Sequence, residues 1–498
     1  MSASHYNQIM TRKNQMHIVA VASEATPYVK TGGLADVVGS LFNSLTDDRR
    51  MTLILPFYKT ADVDFPTCEA EDRCTILIGA QSHEAVFHRC SLGLNRDLLL
   101  VEQDLFFHRP GIYGLDGQDY PDNFHRFFFF CNAAAQWIIH HQSQIDAVHC
   151  HDWQSGLVPM LLKTSTHKTP PCLFTIHNIF FQGRFPEHNF DLTHLPRHHF
   201  NPDGVEFFGE FNFLKGGIRY SERINTVSPS YAQEIQTPEY GAGLEGLLRK
   251  RSPDLSGILN GIDTALWDPV ADPLIPHLFT GDISGWKQAC RRALRQELGL
   301  EDIPLPLFIM IGRLTHQKGI DLVLDAWEHQ APQAQLAVLG TGEPHAQRRL
   351  VALQKRMEGV RVINRFSEPL AHRMQAGADF FLMPSRFEPC GLTQMVAQRY
   401  GTIPLVTQTG GLRDTVVPIG PGEDASGIAI LTADAAGVSR AQNQAVSLYA
   451  DPAQLLTLRR RGMSRDFSWA RSSRQYKALF DAISAGHHDK RSPLHPGR

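Results

Sequence analysis

The chain has 498 residues, enough for two to four domains. Hydrophobic residues make up 42% and charged residues 20%, a globular balance that excludes wholesale disorder. The formal net charge is −3, which argues against a general nucleic-acid or anionic-membrane binder but leaves room for a local basic pocket.

Residues 1–15 are polar and carry no apolar stretch of the secretory type. Short Val/Ile/Leu runs then recur along the chain. They are His17–Ser23, Thr52–Leu55, Leu98–Val101, Ala147–His149, Leu173–Ile176, Ile224–Val227, Leu307–Ile311, Leu336–Leu339, Val360–Ile363, Phe380–Met383 and Ile403–Val406. Helical stretches separate them. Near-continuous apolar strands alternating with helices predict α/β architecture, with parallel sheets covered on both faces. No apolar run reaches the ~18 residues of a membrane helix, and the longest aromatic run is Phe127-Phe128-Phe129-Phe130. The stretch between Trp267 and Asp282 carries Pro269, Pro273, Pro276 and Gly281. It resists helix and strand alike, and is expected to separate two doubly wound domains, 16–267 and 282–468, as a hinge. A helix from Trp469 follows (469–484), and the ends 1–15 and 485–498 read as flexible tails. The eight cysteines form no CxxC pair, and their low density predicts reduced thiols in a cytosolic protein.

Several strand exits carry chemistry. After the first strand comes Lys30-Thr31-Gly32-Gly33, with Leu34, Val37, Val38 and Leu41 at helical spacing. Paired glycines, a helix N-terminus and a lysine suit a phosphate, a diphosphate or a sugar hydroxyl. An ordinary strand–helix turn fits the same residues. Thr409-Gly410-Gly411-Leu412-Arg413-Asp414 echoes this motif in the second half. Gly241-Ala242-Gly243-Leu244-Glu245-Gly246 matches GxGxxG, but it follows a helical stretch and Pro238 rather than a strand, so it is not read as a dinucleotide site. His149-Cys150-His151-Asp152 is not read as a metal centre, because neighbours on a strand point to opposite faces. His151 and Asp152 nonetheless sit at a strand's carboxyl end, where open α/β sheets bind ligands. An N-cap role for Asp152 is the alternative. His177-Asn178 and Gln182-Gly183 follow the next strand and suit hydroxyl recognition. Arg313 and Lys318 share one strand–helix loop and suit a diphosphate. Pro384 to Gly391 forms a Pro-bounded turn bearing one carboxylate, Glu388. Asp62-Val63-Asp64 has no neighbours that support a metal-binding DxD.

Taken together, the motifs resemble the bacterial glycogen synthase and plant starch synthase family. The matching stretches are KTGGLADVVG (30–39), YPDNFHRF (120–127), HDWQSGLVP (151–159), FTIHNIFFQG (174–183), NFLKGGI (212–218), VSPSYAQEIQTPEYGAGLEGLL (227–248), GILNGID (257–263), GRLTHQKG (312–319), EPCGLTQ (388–394) and TGGLRDTV (409–416). They span about residues 16–480. The resemblance implies two Rossmann-like domains of the GT-B glycosyltransferase type facing across a cleft, with the C-terminal helix returning to the first. It implies transfer of glucose from ADP-glucose to the non-reducing 4-hydroxyl of an α-1,4-glucan, with retention of the α configuration and elongation of glycogen. It implies no cofactor, no metal, no nucleic acid, no membrane and a cytoplasmic location.

By the same resemblance Lys30 contacts the nucleotide sugar, with Gly32, Gly33 and Asp36 beside it. Arg313 and Lys318 hold the diphosphate. Glu388 faces the glucose, flanked by Cys390, Gly391, Leu392 and Thr393. Glu388, Asp152 and His177 are the expected catalytic residues, and Tyr113, Asn178, Gln182, Gly183, Lys215 and Asn260 complete the substrate-binding set. Two positions depart from the family. Val396 stands where related retaining transferases often carry a second glutamate, so no covalent nucleophile is assigned. Arg291 stands where the family usually has lysine, which bears on donor binding if that lysine contributes. No motif reads the base, so UDP-glucose stays open as a donor. A catalytically silent glucan-binding paralogue is the competing class. The presence of Lys30, Arg313, Lys318 and Glu388 weighs against it.

Overall fold

The computed structural model describes residues 15–59, 65–93, 95–115, 117–329, 333–420, 422 and 424–489. The Asp62-Val63-Asp64 stretch lies outside them. The chain forms two compact α/β units. The first runs to Val227 and adds Ala232–Ile258 and the chain from Ser472; the second holds Ser228–Tyr231 and Leu259–Arg471.

The first unit is built on nine strands: β1 (His17–Val21), β2 (Arg50–Pro56), β3 (Glu69–Ile78), β4 (Gln81–Ser91), β5 (Arg96–Glu102), β6 (Ala147–His151), β7 (Cys172–Ile176), β8 (Arg223–Thr226) and β9 (Leu255–Gly257). Their order is β9-β8-β7-β6-β1-β2-β5-β4-β3. The pairs from β9 to β5 are parallel, and β4 and β3 extend the sheet as an antiparallel hairpin. β1, β6 and β7 are buried at every residue, as continuous apolar runs require when both faces are covered. The β3–β4 hairpin escaped the sequence reading. β3 alternates charged, exposed residues with only Ile76 and Ile78 fully buried, so it offers no apolar run. Helix α1 (Gly33–Ser44) follows β1, and helix α2 (Asn123–His140) buries all four consecutive phenylalanines, 127 to 130. Among the described residues no helix is long and apolar enough to cross a membrane.

The second unit has six parallel strands: β10 (Leu307–Ile311), β11 (Gln335–Leu339), β12 (Val360–Ile363), β13 (Phe380–Met383), β14 (Ile403–Thr407) and β15 (Ile428–Ile430). They run in the order β12-β11-β10-β13-β14-β15, a doubly wound sheet. Alternate residues feed two cores. Phe308, Met310, Phe380 and Leu382 join one; Leu307, Ile309, Phe381 and Met383 join the other. The helix Ile283–Leu298 shows its sequence signals in place. Asp282 accepts the Ser284 N–H at 3.1 Å, and Gly299 closes the helix at φ +63°.

Three expectations are corrected. The Pro-rich stretch is not a free linker, because it packs within the second unit. Its Asp272, 1% exposed, accepts hydrogen bonds from His372 Nδ1 at 2.7 Å and from the Tyr400 hydroxyl at 2.5 Å. Trp267 stacks on His372 at 3.7 Å. The division falls instead at Ile258/Leu259, so 258 rather than 267 ends the first unit's run. The C-terminal helix runs Trp469–Asp489, so residues 485–489 are helical and not tail. From Ser472 it belongs to the first unit, where the Tyr476 hydroxyl accepts from the Asn225 amide at 2.9 Å and Phe480 packs on His149. Finally, the cysteines are not all thiols: Cys68 and Cys90 form a disulfide between the start of the β3–β4 hairpin and the end of β4. Low cysteine density does not exclude one bridge between residues that a hairpin brings together.

Removing the Asp272 carboxylate strands two buried polar groups. Asp272→Ala is expected to cost about 3 kcal/mol. The measurement is the urea midpoint of the intact protein, followed by a probe in the second unit.

Candidate active site

Each sheet has a switch point where the winding reverses, and loops leaving the strands on either side of it diverge to leave a crevice. In the first unit that point lies between β1 and β6. In the second it lies between β10 and β13.

The β1 exit is organised by Glu24. Its buried carboxylate accepts the backbone N–H of Thr31 at 2.5 Å and of Gly32 at 3.3 Å, and the Thr31 hydroxyl at 2.9 Å. Tyr113 donates its hydroxyl to the same carboxylate at 3.0 Å and meets Ser23 at 2.7 Å. Burial raises the Glu24 pKa, partly offset by the Thr31 and Tyr113 hydrogen bonds. Glu24 was not among the expected site residues. A lone acid six residues before Lys30 carries no motif, and only the folded turn shows its role. Lys30 is exposed and pairs with Asp36 at 2.8 Å. A Cβ added at Gly32 or Gly33 would meet nothing within 4 Å, so packing does not demand either glycine. The backbone there is simply uncovered.

Across the switch point, Asp152 follows β6 with φ +55°, a strained conformation for a residue other than glycine. Its Oδ1 accepts the His177 N–H at 2.7 Å, so it ties the β6 exit to the β7 exit rather than capping its own helix. Burial lifts the Asp152 pKa to about 7. His151 Nδ1 and His177 Nε2 are 3.0 Å apart, and His149 Nε2 meets the Thr175 hydroxyl at 2.7 Å. Burial lowers the His149 and His177 pKa values to about 3, and it also depresses the His151 pKa well below the ordinary imidazole range. The imidazoles are therefore neutral, each able to present one donor and one acceptor. Asn178 accepts the Phe180 N–H at 3.1 Å and shapes the loop.

Three expected residues are occupied by the fold. Gln182 donates to the Ala242 carbonyl at 3.0 Å and accepts from Asn212 at 2.7 Å. This is what the GxGxxG stretch does here: its turn is held by Gln182 and does not itself follow a strand. Gly183, at φ +60°, has Trp153 where a Cβ would stand, 2.3 Å away. Lys215 is buried and donates to the carbonyls of Pro202 and Glu206, so its ammonium is spent on backbone.

In the second unit the β10 and β13 exits are locked together. Arg386 forks onto Asp321 at 2.8 and 2.7 Å and donates to the His316 carbonyl at 2.7 Å. Gly319 lets Pro384 approach: at φ +70°, its Cβ would lie 2.2 Å from the Pro384 carbonyl oxygen. Between the loops, Lys318 pairs with Glu388, whose Oε2 also accepts the Ser385 hydroxyl at 3.1 Å. Glu388 is 6% exposed. Arg313 is exposed, and among the described residues its guanidinium makes no ion pair. Beyond Glu388, Gln394 donates to the carbonyls of Cys390 and Gly391 at 3.1 and 3.0 Å. It thereby fixes the turn ahead of Leu392 and Thr393. Burial raises the Cys390 thiol to about 12, the chemistry of a small buried hydrophobe rather than a nucleophile. Asn260 is buried nearby with its Oδ1 unbonded.

Arg291 has no part in this crevice. It pairs with the fully buried Asp379 at 2.7 Å, as does Arg459, and Asp379 also accepts the Leu307 N–H at 3.0 Å. That cluster sits where β10 begins and β13 is about to begin, at the opposite ends of the strands from Arg313 and Glu388. There Arg291 and Arg459 together neutralise a buried carboxylate.

Two doubly wound units, each with a polar cluster at its switch point, define an enzyme of the two-Rossmann-unit glycosyltransferase class. Residues 17–250 match the family described as starch synthase catalytic domain, and residues 292–453 match glycosyl transferases group 1. A glycogen synthase of Opitutus terrae is 40% identical, over 93% of this chain and 99% of its own. Glycogen synthase 1 of Rhizobium meliloti is 41% identical, over 94% and 100%. The solved catalytic domain of starch synthase IV from Arabidopsis thaliana, bound to ADP and acarbose, aligns with a TM-score of 0.86 at 32% identity, over 95% of this chain and 100% of that one. Sucrose-phosphate synthase of Thermosynechococcus elongatus, at 18% identity and a TM-score of 0.62, shares the fold. The chain belongs to the glycogen synthase/starch synthase family of glycosyltransferases.

The neutral histidines have a consequence for stability. In the unfolded chain they titrate near 6.5; in the folded unit His149 and His177 hold out to about 3. Between these values the unfolded state binds protons that the native state does not, so stability falls as pH falls. Replacing His177 by Gln is expected to flatten that slope by up to about 1.4 kcal/mol per pH unit between pH 6 and 4. Denaturant titrations of both proteins across that range check it.

Proposed function

We propose that the protein transfers glucose from ADP-glucose to the non-reducing 4-hydroxyl of an α-1,4-glucan, with retention of the α configuration, elongating glycogen in the cytoplasm. One observation carries the reading: Arg313, Lys318 and Glu388 stand on two interlocked loops at one switch point, with Arg313 exposed and Glu388 buried beside a cation. A relative solved with ADP and acarbose supports a nucleotide diphosphate and a glucan as ligands.

In this reading Arg313 and Lys318 hold the diphosphate. As the glycosidic bond to ADP breaks, negative charge grows on the diphosphate and positive character grows on the sugar. Cations held beside the diphosphate gain interaction energy as that charge grows. Glu388, positioned by Lys318 and Ser385, faces the sugar and favours its cationic carbon. Cys390, Gly391, Leu392 and Thr393 shape that turn, with Asn260 beside it. In the first unit, Lys30 contributes charge toward the donor from the uncovered Gly32-Gly33 turn, with Asp36 as its partner in the free protein. His177 and Asp152 offer a neutral donor–acceptor pair and a carboxyl to sugar hydroxyls, backed by Tyr113 and Asn178. Glu388 is the one carboxylate of the 383–391 turn and position 396 is Val396, so no covalent glucosyl intermediate is assigned. Neither nucleic acid nor a membrane enters the reaction.

The deciding assay is donor-dependent release of ADP or UDP with glycogen as acceptor. ADP release from ADP-glucose supports the reading, and turnover with UDP-glucose alone overturns the donor assignment. Glu388→Ala is expected to lower kcat by at least about 10²–10³ with a modest change in KM, because its contact strengthens in the transition state. Lys30 faces full charges already in the ground state, so Lys30→Gln should raise the ADP-glucose KM more than it lowers kcat. Steady-state kinetics on folded variants test both; a near-normal kcat for Glu388→Ala reopens the silent-paralogue reading. Activity should also survive excess EDTA, since Arg313 and Lys318 supply the charge that a metal would. Loss that Mg²⁺ or Mn²⁺ restores would contradict this.

A further inference from the structure

Helix α2 ends on His140, with His141 as its C-cap residue. Both lie beside Asp72 of the edge strand β3, and one ligand atom from each of the three residues falls within 4.8 Å of the other two. Three features prepare these groups. The first is a bulge: the β3–β4 register shifts between Ala70 and Asp72, so Glu71 is an extra residue that re-aims its neighbour. The second is an outer layer around Trp137. Glu71 accepts the Trp137 indole N–H at 3.2 Å and a guanidinium N–H of Arg89 at 2.9 Å. His141 stacks on that indole at 4.3 Å and donates from Nδ1 to the Trp137 carbonyl at 2.9 Å. A carbonyl only accepts, so Nδ1 carries the proton and the Nε2 lone pair is left for a ligand. The third is the C-terminal end of an 18-residue helix, where the aligned peptide dipoles favour a positive charge.

We propose that Asp72, His140 and His141 form a binding site for a divalent cation of the zinc class. Two imidazoles and one carboxylate suit Zn²⁺, Co²⁺ or Ni²⁺, whereas Mg²⁺ and Ca²⁺ prefer all-oxygen sets. Three protein ligands leave a fourth position for water. The site clips the edge hairpin to helix α2, so the cation binds the folded chain and stabilises it. It stands on β3, four strands from β1 in the sheet order, and is separate from the residues assigned to glucose transfer.

The test uses the full chain, stripped with chelator and titrated with Co²⁺ as the probe. Visible absorption reads the coordination geometry, and calorimetry reads stoichiometry. The expected result is one equivalent with a four-coordinate spectrum and a Tm that rises with added metal. The Asp72→Asn/His140→Ala double variant leaves the His141–Trp137 stack intact. It should weaken Co²⁺ binding at least about tenfold and abolish the Tm rise. His198→Ala removes one member of another histidine pair, with rings 4.1 Å apart, and should change neither readout. Absence of a bound equivalent in the wild type, or its survival in the double variant, would overturn the proposal.

Discussion

The whole arrangement depends on one constraint of parallel sheets: all strands point their carboxyl ends the same way, and loops diverge only where the winding reverses. In the second unit β10 and β13 are the neighbours at that reversal. The loops that follow them carry Arg313, Lys318 and Glu388, residues 75 positions apart at the extremes of the sequence span but adjacent in the sheet order. In the first unit the same constraint sets the Glu24-organised turn after β1 beside Asp152 after β6. Neither cluster needs a dedicated scaffold beyond the sheet.

The two clusters solve the cost of burying charge in different ways. Glu388 keeps an ammonium and a hydroxyl against its carboxylate. Among the described residues Glu24 meets no cation; it is buried and held by backbone N–H groups and two hydroxyls, and burial leaves its pKa raised. Asp152 goes further, with a pKa pushed to about 7 and one close N–H partner. The first unit therefore presents neutral imidazoles and a carboxyl with a pKa near 7, suited to hydroxyls. The second presents cations beside a buried carboxylate, suited to phosphates.

The repeated Thr-Gly-Gly-Leu sequence illustrates how one string serves two physical needs. At Gly32 and Gly33 an added Cβ meets nothing. At Gly410 and Gly411 it would lie 2.1 Å from the Glu388 carbonyl oxygen and 2.2 Å from that of Cys390. The second copy is a packing surface that lets a helix N-terminus press against the turn bearing Glu388, and Gly411 donates its N–H to that same carbonyl at 3.1 Å. The resemblance between the copies says nothing of this difference, because glycine leaves no trace of whether space or closeness required it.

The sequence by itself determined the α/β class, the parallel strands and the strand-exit motifs. Each rests on a local signal: an apolar run such as Phe380–Met383, or a loop such as Gly312–Gly319 that must follow its strand. It missed the β3–β4 hairpin, whose exposed alternation carries little hydrophobic signal, and Glu24, whose partners come from its own turn and from Tyr113. Tertiary structure alone decided where side chains with identical credentials point. Lys318 reaches Glu388, while Lys215 is consumed by two carbonyls. Arg313 stays exposed at the carboxyl end of β10, while Arg291 is drawn to Asp379 at the other end. The Pro-rich stretch read as a linker becomes part of a unit because Asp272 finds His372 and Tyr400. A charge in a sequence has no direction; it acquires one when burial forces it to find a partner, and that partner is chosen by contacts distant along the chain.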